Sequence, residues 1–392
     1  MANKSFTNIL KKNAMLIALV LIFAFFTLMT GGQMFQAMNF NALITQNAYV
    51  FVLATGMLMC MLTGGNIDLS CGSFVCFLGS IGGILMQVKH LNPGVSILVM
   101  LLVGVVYGSI LGFLIAYVNI PPWIATLAGY LAFRGWGTAL LSANSTTGSI
   151  SLAAQKGYLV IFSGKIFATK VGQMNMVCLI VGIIACIAVV VISFMGRANK
   201  VKKGYEAESM TMVLIKSILA CAAIMLFAYK LALAGGIPTV LIWVAVIVLI
   251  YNFITSSTTA GRYFYTIGGN AEATRLSGVD TRKIMFIAYL NMAVLTAITS
   301  FIVTARFQAA NSQAGNYYEM DAIAACVVGG VSAYGGAGNI FGMVIGATLI
   351  GVINLGMSLM GVNADWQRIV KGVVLLAAVV FDILAEKKTG KA

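Results

Sequence analysis

The chain has 392 residues, of which 60% are hydrophobic and 9% charged, and its mean hydropathy is +0.99. A soluble domain carries about 25% charged residues, so this chain cannot clothe a globular surface and reads as an integral membrane protein. The formal net charge of +14 lies in loops between apolar runs. There anionic lipid headgroups and topology account for it, which excludes a nucleic-acid-binding role.

A helix needs roughly 20 apolar residues to cross the hydrocarbon core, whereas a barrel would show short alternating segments. The apolar runs recur at the helical length. The expected fold class is therefore an all-α polytopic membrane protein, a single transmembrane unit over 1–392. Twelve spans (10–12 allowing for soft edges) are read at 14–30, 43–62, 72–88, 95–118, 123–141, 174–195, 210–230, 237–256, 284–305, 320–333, 340–361 and 367–384. The first follows Lys4, Lys11 and Lys12 as a signal peptide would. It is long, however, and leads into GGQMFQ rather than a small-residue cleavage site, so a retained span is expected. The tenth is short, which suggests a broken or tilted segment.

Three places interrupt the apolar pattern. Thr63-Gly64-Gly65-Asn66-Ile67-Asp68-Leu69-Ser70 puts two glycines and a carboxylate between apolar runs and reads as a broken helix near 64–72. Asp68 or Ser70 would cap the helix that follows. Ile120-Pro121-Pro122-Trp123 reads as a helix start, because proline lacks the N–H that a first turn leaves unpaired. Gly329-Gly330-Val331-Ser332-Ala333-Tyr334-Gly335-Gly336-Ala337-Gly338-Asn339 reads as a second break near 329–339. It is no nucleotide fingerprint, since no βαβ pattern surrounds it. Irregular backbone at membrane depth needs protein or a wet cavity to satisfy it, and paired breaks in two halves of a chain point to a transport pathway. Gly104, Gly108 and Gly112 share one helix face, as do Gly338, Gly342 and Gly346. Packing within the subunit explains either stripe better than a dimer seam.

With the N-terminus placed inside, fourteen Lys and Arg fall on the cytoplasmic side and seven outside, with Arg134, Lys216 and Lys371 inside spans. This bias puts both termini in the cytoplasm, together with the polar stretch 257–283, and leaves 142–173 as the largest outer loop. Buried charge is sparse. Asp68 lies at the first break, Glu319 and Asp321 open the tenth span, and Arg134 sits midway along the fifth. A helix cap explains Asp68 and Asp321 better than substrate contact does, and structural pairing leads for Arg134, with Asp68 as the guessed partner. Each such charge costs about 2.5–3.5 kcal/mol at the bilayer centre unless paired or hydrated.

No catalytic constellation appears. There is no Ser/His/Asp set, no metal-ligand cluster and no Walker A motif, so the chain holds no cofactor and cannot hydrolyse ATP itself. The seven cysteines form no CxxC and read as small core residues, and His90 has no second ligand. Ionisable residues are too few for a typical ion-coupled carrier, so the energy for active transport would come from a partner. A stand-alone carrier or channel for a small neutral solute, or an exporter of a hydrophobic solute, remain as alternatives.

The stretch Gly261-Arg262-Tyr263-Phe264-Tyr265-Thr266-Ile267-Gly268-Gly269-Asn270-Ala271-Glu272-Ala273-Thr274-Arg275-Leu276-Ser277-Gly278 resembles the signature loop of the ribose/xylose/galactose permease family of ABC importers. Glu272-Ala273 with Gly278 resembles the coupling segment that such permeases present to their ATPase. Other stretches agree in order. Gly64-Gly65 with Ile67-Asp68-Leu69-Ser70 and Gly72-Ser73 resembles GGIDLSVGS, although Asn66 intervenes and Cys71 replaces valine. Ile120–Leu127 with Phe133-Arg134-Gly135 resembles the proline-led span. Glu319–Ala325 with Gly329-Gly330 resembles ELDAIAA…GG, and Trp366-Gln367 with Val370-Lys371-Gly372 resembles the tail. The 174–235 stretch adds two spans to the family's shorter form and resembles the xylose-type and multiple-monosaccharide permeases.

The resemblance implies a permease in a bacterial plasma membrane that works as a homodimer or pseudo-dimer of membrane subunits. Its partners would be a cytoplasmic ABC ATPase, which uses the ATP, and an extracytoplasmic sugar-binding protein. It further implies an ATPase-coupling set of Gly269, Asn270, Glu272, Ala273, Arg275 and Gly278 in the 257–283 loop, with Glu272 through Gly278 forming a short helix docked in a groove of the ATPase. A neutral monosaccharide of the xylose, galactose, glucose or arabinose class needs hydrogen-bonding groups along its route. Asn66, Asp68, Ser70, Arg134, Ser332, Tyr334 and Asn339 are the expected substrate-pathway residues.

Overall fold

A computed structural model describes residues 14–166, 174–205 and 209–388. Of the charges counted above, Lys4, Lys11, Lys12, Lys170 and Lys391 lie outside the described residues. The fold is helical throughout. In chain order come α1 (Ala14–Met29), α2 (Ala37–Leu62), α3 (Cys71–Gly83, continued by a π-helical turn Ile84–Val88), α4 (Pro93–Ala116) and α5 (Pro122–Asn144). Then follow β1 (Ser149–Ser151), α6 (Lys156–Ser163), β2 (Lys165–Ile166), α7 (Met176–Lys202), α8 (Met210–Leu233), β3 (Ile237–Pro238) and α9 (Thr239–Ser257). The chain closes with α10 (Thr259–Gly269), α11 (Ala271–Leu276), α12 (Thr281–Phe307), β4 (Ala309–Asn311), α13 (Tyr318–Val328), α14 (Ile340–Leu359) and α15 (Ala364–Lys388).

A helix stands at each of the twelve expected spans. Among the described residues eight are long and apolar enough to cross a membrane: α2, α3 with its π turn, α4, α7, α8, α9, α12 and α14. The tenth expected span is only 11 residues, α13, about 16 Å of helix, and so cannot cross alone. The local reasons for the boundaries are chemical. Asn92 accepts from Gly94 N ahead of Pro93, and Pro121-Pro122 opens α5.

Burial sorts the helices. In the most apolar window of α2, 72% of residues are buried, and in α3, α12 and α14 67%; in α7 and α8 the figure is 11%. The first four form the centre, and the α7–α8 hairpin lies at the periphery. Where lipid supplies no hydrophobic drive, close backbone approach associates helices. Gly104, Gly108 and Gly112 of α4 face Ala297, Ala293 and Phe286 of α12, and a Cβ at Gly108 would stand 2.8 Å from that of Ala293. Gly342 and Gly346 of α14 lie against Gly329 and Ala325 at the end of α13. Both glycine stripes thus pack within the chain.

The two ends of the bundle differ. At one, the segment expected to be the largest outer loop is built into the body. β1 pairs with β4 and β2 with β3, both antiparallel. From α6, the buried Tyr158 donates its hydroxyl to Phe301 O at 3.1 Å and lies 2.6 Å from Thr304 Oγ1. At the other end, about 40 Å away along the 27 residues of α12, stand α10, α11 and both chain breaks.

Candidate functional site

The backbone leaves the helix at both expected breaks, between Leu62 and Cys71 and between Val328 and Ile340. The first break runs from the end of α2 toward the middle of the molecule. There Gly72, in the first turn of α3, lies against Gly315 and Glu319, and a Cβ on Gly72 would overlap Gly315 O and a Glu319 carboxylate oxygen. The N-termini of α3 and α13 therefore meet inside the bundle. The buried Glu319 carboxylate stands over the first turn of α3, where unpaired amides make the helix end electropositive.

Within the first break, Asp68 Oδ1 accepts from Ser70 N at 2.8 Å and from Ser70 Oγ at 2.6 Å; Tyr107 of α4 donates to Ser70 Oγ at 2.7 Å. Ser70 occupies the N-cap position of α3 without capping it, so Asp68 organises the turn and Ser70 relays to α4. Asn66 Nδ2 donates back to Thr63 O at 3.1 Å. In the second break, Ser332 N donates to Ala337 O at 2.9 Å and closes a tight loop. Ser332 is buried, whereas Tyr334 is 69% exposed. Asn339 Oδ1 accepts from Gly342 N at 2.7 Å and caps α14.

The two breaks touch. A Cβ on Gly65 would overlap Ala333 O, and one on Gly335 would stand 2.5 Å from Gly64 N. Both glycines have positive φ, +72° and +90°, so no side chain fits there and no other residue adopts the backbone easily. Six of the seven expected pathway residues thus belong to one continuous structure. Arg134 is the exception. Its Nη1 donates to Ser312 O at 3.3 Å and Ala314 O at 2.9 Å, bracing the turn that precedes α13. The guessed Arg134–Asp68 pair is not among the ion pairs of the described residues; Arg134 turns to the Ser312 and Ala314 carbonyls, and Asp68 bonds Ser70.

The junction has a third partner that no pattern along the chain reveals. At the end of α10, Gly268 lies on both breaks at once. A Cβ there would overlap Leu62 O and Gly336 N, the two atoms joined by a 3.1 Å hydrogen bond between the breaks. Tyr265 OH, one turn earlier, donates to Gly338 O at 3.1 Å. The stretch 257–283, expected to be a polar loop with a short helix over Glu272–Gly278, is helical over α10 as well as α11. α10 is capped by Thr258, whose hydroxyl accepts from Gly261 N at 3.0 Å, and buries Phe264 and Ile267.

The six residues of α11 form a complete miniature helix. Asn270 Oδ1 accepts from Ala273 N at 2.9 Å as N-cap. Glu272 stands in the first turn and Arg275 in the last, each at the end its charge favours. Gly278, at φ +87°, closes the chain in the left-handed conformation just past the last turn. Arg275 grips Glu272 through two bonds of 3.0 and 2.6 Å, and that guanidinium holds the exposed Glu272 carboxyl below its ordinary range. Asp280 then caps α12 by accepting from Lys283 N at 3.0 Å.

A polar pair that sequence reading missed lies deeper. Lys371 Nζ of α15 is 2.9 Å from Asp321 Oδ1, and Tyr49 OH donates to the same carboxylate. From the sequence, Asp321 reads as a helix cap and Lys371 only as a charge inside a span. The 50-residue separation hides the contact; the signal available was a lone Lys and a lone Asp inside apolar runs.

The sequence profile of a family described as "Branched-chain amino acid transport system / permease component" matches residues 39–379. The chain is 35% identical over 377 residues to the xylose transport system permease protein of Haemophilus influenzae, covering 95% of this chain and 96% of that protein. Identity to the ribose import permease protein of Escherichia coli is 28% over 367 residues, 94% and 92% of the two chains. The galactose/methyl galactoside import permease protein of Haemophilus influenzae is 27% identical over 399 residues, with 98% of each chain covered. No solved structure matches.

Proposed function

The chain belongs to the permease-component family of branched-chain amino acid type transport systems, and on that footing we propose that it is the membrane-spanning subunit of an ABC importer for a monosaccharide. It is a multi-pass inner-membrane protein and a transporter subunit without its own ATPase site. The family description names amino acids, but the relatives that align over nearly the whole chain are named for xylose, ribose and galactose. Its partners are an ABC ATPase and a sugar-binding protein, and ATP is bound and hydrolysed by the former.

We further propose a finer organisation. The end carrying 257–283 faces the cytoplasm, and α11 is the segment the ATPase grips. The observation that carries this reading is the seat of Gly268 on Leu62 and Gly336. A push on α10–α11 reaches both chain breaks without an intervening side chain. The 174–235 stretch is an insertion whose α7 and α8 bury little against the body. Two copies form the transmembrane part.

Proteoliposomes holding the chain with its ATPase and binding protein test the function. Labelled D-xylose, D-ribose and D-galactose should be screened for ATP-dependent accumulation. At least one should accumulate only when both partners and ATP are present. Equal uptake by the chain alone would make it a stand-alone carrier.

A further inference from the structure

The end of the molecule opposite α11 holds a cavity to which nothing above assigns a role. It occupies about 530 Å³ between the start of α13 and the first turns of α15, within the range of small-molecule sites. The contrast with a smaller cavity of about 290 Å³ is chemical, since that one is bounded mainly by carbon, including Leu43, Phe51, Phe227 and Val248. The larger one has a buried carboxylate, Asp321, at its floor, held by Lys371.

We propose that this cavity is a monosaccharide subsite of the permease itself, a proposal that rests on the importer reading above. Charge is the first reason. The three charged side chains that line the cavity are already paired, Asp321 with Lys371, and Arg368 with Asp365 just outside it at 2.8 Å. An ion would find no uncompensated partner. An amino acid would have to break both pairs to seat its carboxylate and ammonium. A neutral polyol breaks neither, because each hydroxyl donates to a carboxylate and accepts from an ammonium or guanidinium at once.

The amides give the second reason. Asn316 Nδ2 donates to Gln313 Oε1 at 2.6 Å, and Gln367 Nε2 to Val362 O at 2.9 Å. Each bond fixes an amide, and each leaves the opposite end of that group, Asn316 Oδ1 and Gln367 Oε1, without a bond to any described residue. Fixed, half-used amides of this kind are ready acceptors for hydroxyl groups. The third reason is Tyr317. It holds a left-handed backbone at φ +63°, rare for an aromatic residue; the residue is 42% exposed, and the Arg368 guanidinium lies 4.7 Å from the ring centroid. A half-open aromatic ring suits the apolar C–H face of a sugar. In the proposed orientation the cavity lies toward the side on which the binding protein delivers.

The test uses the full complex in proteoliposomes with the three sugars named above. Asn316→Ala and Gln367→Ala should each lower uptake of the transported sugar at least tenfold, while ATP hydrolysis stimulated by the binding protein stays within twofold of wild type. A second arm reads the cavity directly. With Cys186 and Cys221 changed to Ser, an Ala364→Cys variant, at a position lining the cavity but not among the amides proposed to hold the sugar, should react with a membrane-impermeant thiol reagent, and millimolar transported sugar should slow that reaction at least threefold, while leucine should not. Should an alanine variant lose ATP hydrolysis, this arm decides. Uptake within twofold of wild type in both variants, or protection by leucine and not by sugar, overturns the subsite while leaving the importer standing. Failure of the wild-type complex to accumulate any sugar overturns the importer reading and the subsite with it.

Discussion

A single missing methyl group decides how close two backbones come at Gly268. The site tolerates no Cβ because its neighbours are a carbonyl and an amide already bonded to each other. Neither can rotate away as a side chain would. The Asp321–Lys371 pair shows the opposite economy, two charges kept inside because each answers the other, with a Tyr49 hydroxyl as third member. Removing one partner of a buried pair costs more than removing both, because the survivor keeps its desolvation penalty. Lys371→Met should therefore destabilise the protein by about 3 kcal/mol or more in detergent, whereas Asp321→Asn with Lys371→Met should recover most of that loss. Thermal unfolding of the two variants checks it. A single-variant cost below about 1 kcal/mol would place the pair with ordinary surface bridges.

At the scale of elements, α11 is six residues long and could not persist alone, since isolated helices below about 12 residues are marginal in water. Its caps and the Glu272–Arg275 clamp make up the difference. Glu272→Ala should leave membrane insertion and sugar delivery intact and reduce ATP-dependent uptake at least tenfold; normal uptake would remove α11 from the coupling path. The clamp should also show a defined pH sense. The folded carboxyl titrates below its ordinary value, so the clamp's contribution is full above the unfolded value and is lost as pH falls through the folded one. Coupling should be flat across the neutral range, and a loss on moving from neutral to mildly alkaline pH would contradict this. Much of this element could be read from the chain. Asn270, Glu272, Arg275 and Gly278 are cap and dipole residues at helical spacing, so the sequence states the helix as well as the motif. What the chain hid was α10, which mixes exposed Arg262 and Tyr263 with buried Phe264 and Ile267. That is the pattern of a surface helix, which low hydropathy disguises beside membrane spans.

For the whole molecule, helix positions were legible because hydrocarbon thickness imposes a length on every span. Which helices meet was not, because apolar periodicity reports a residue's surroundings and not its neighbour. Nothing along the chain says that Gly65 meets Ala333, that Gly268 meets both breaks, or that Arg134 turns to Ser312 and Ala314 instead of Asp68. The short α13 was visible as an undersized run, but its cause, an N-terminus that begins deep against Gly72, needed the fold. The proposed assembly carries an expectation of its own. The purified complex should contain two copies of this chain, as read from its mass in detergent, and a complex with one copy would contradict the homodimer.

The junction of α10 with the two breaks is the central claim, and one comparison addresses it most directly. ATP-driven sugar uptake should be measured in proteoliposomes for Gly268→Ala beside Gly196→Ala, a glycine of α7 whose Cβ would meet nothing within 4 Å. Both should assemble with the ATPase and reach the membrane at wild-type abundance. Gly196→Ala should transport within twofold of wild type, and Gly268→Ala should hydrolyse ATP yet lose at least nine-tenths of its uptake. Equal transport by the two variants would contradict the account.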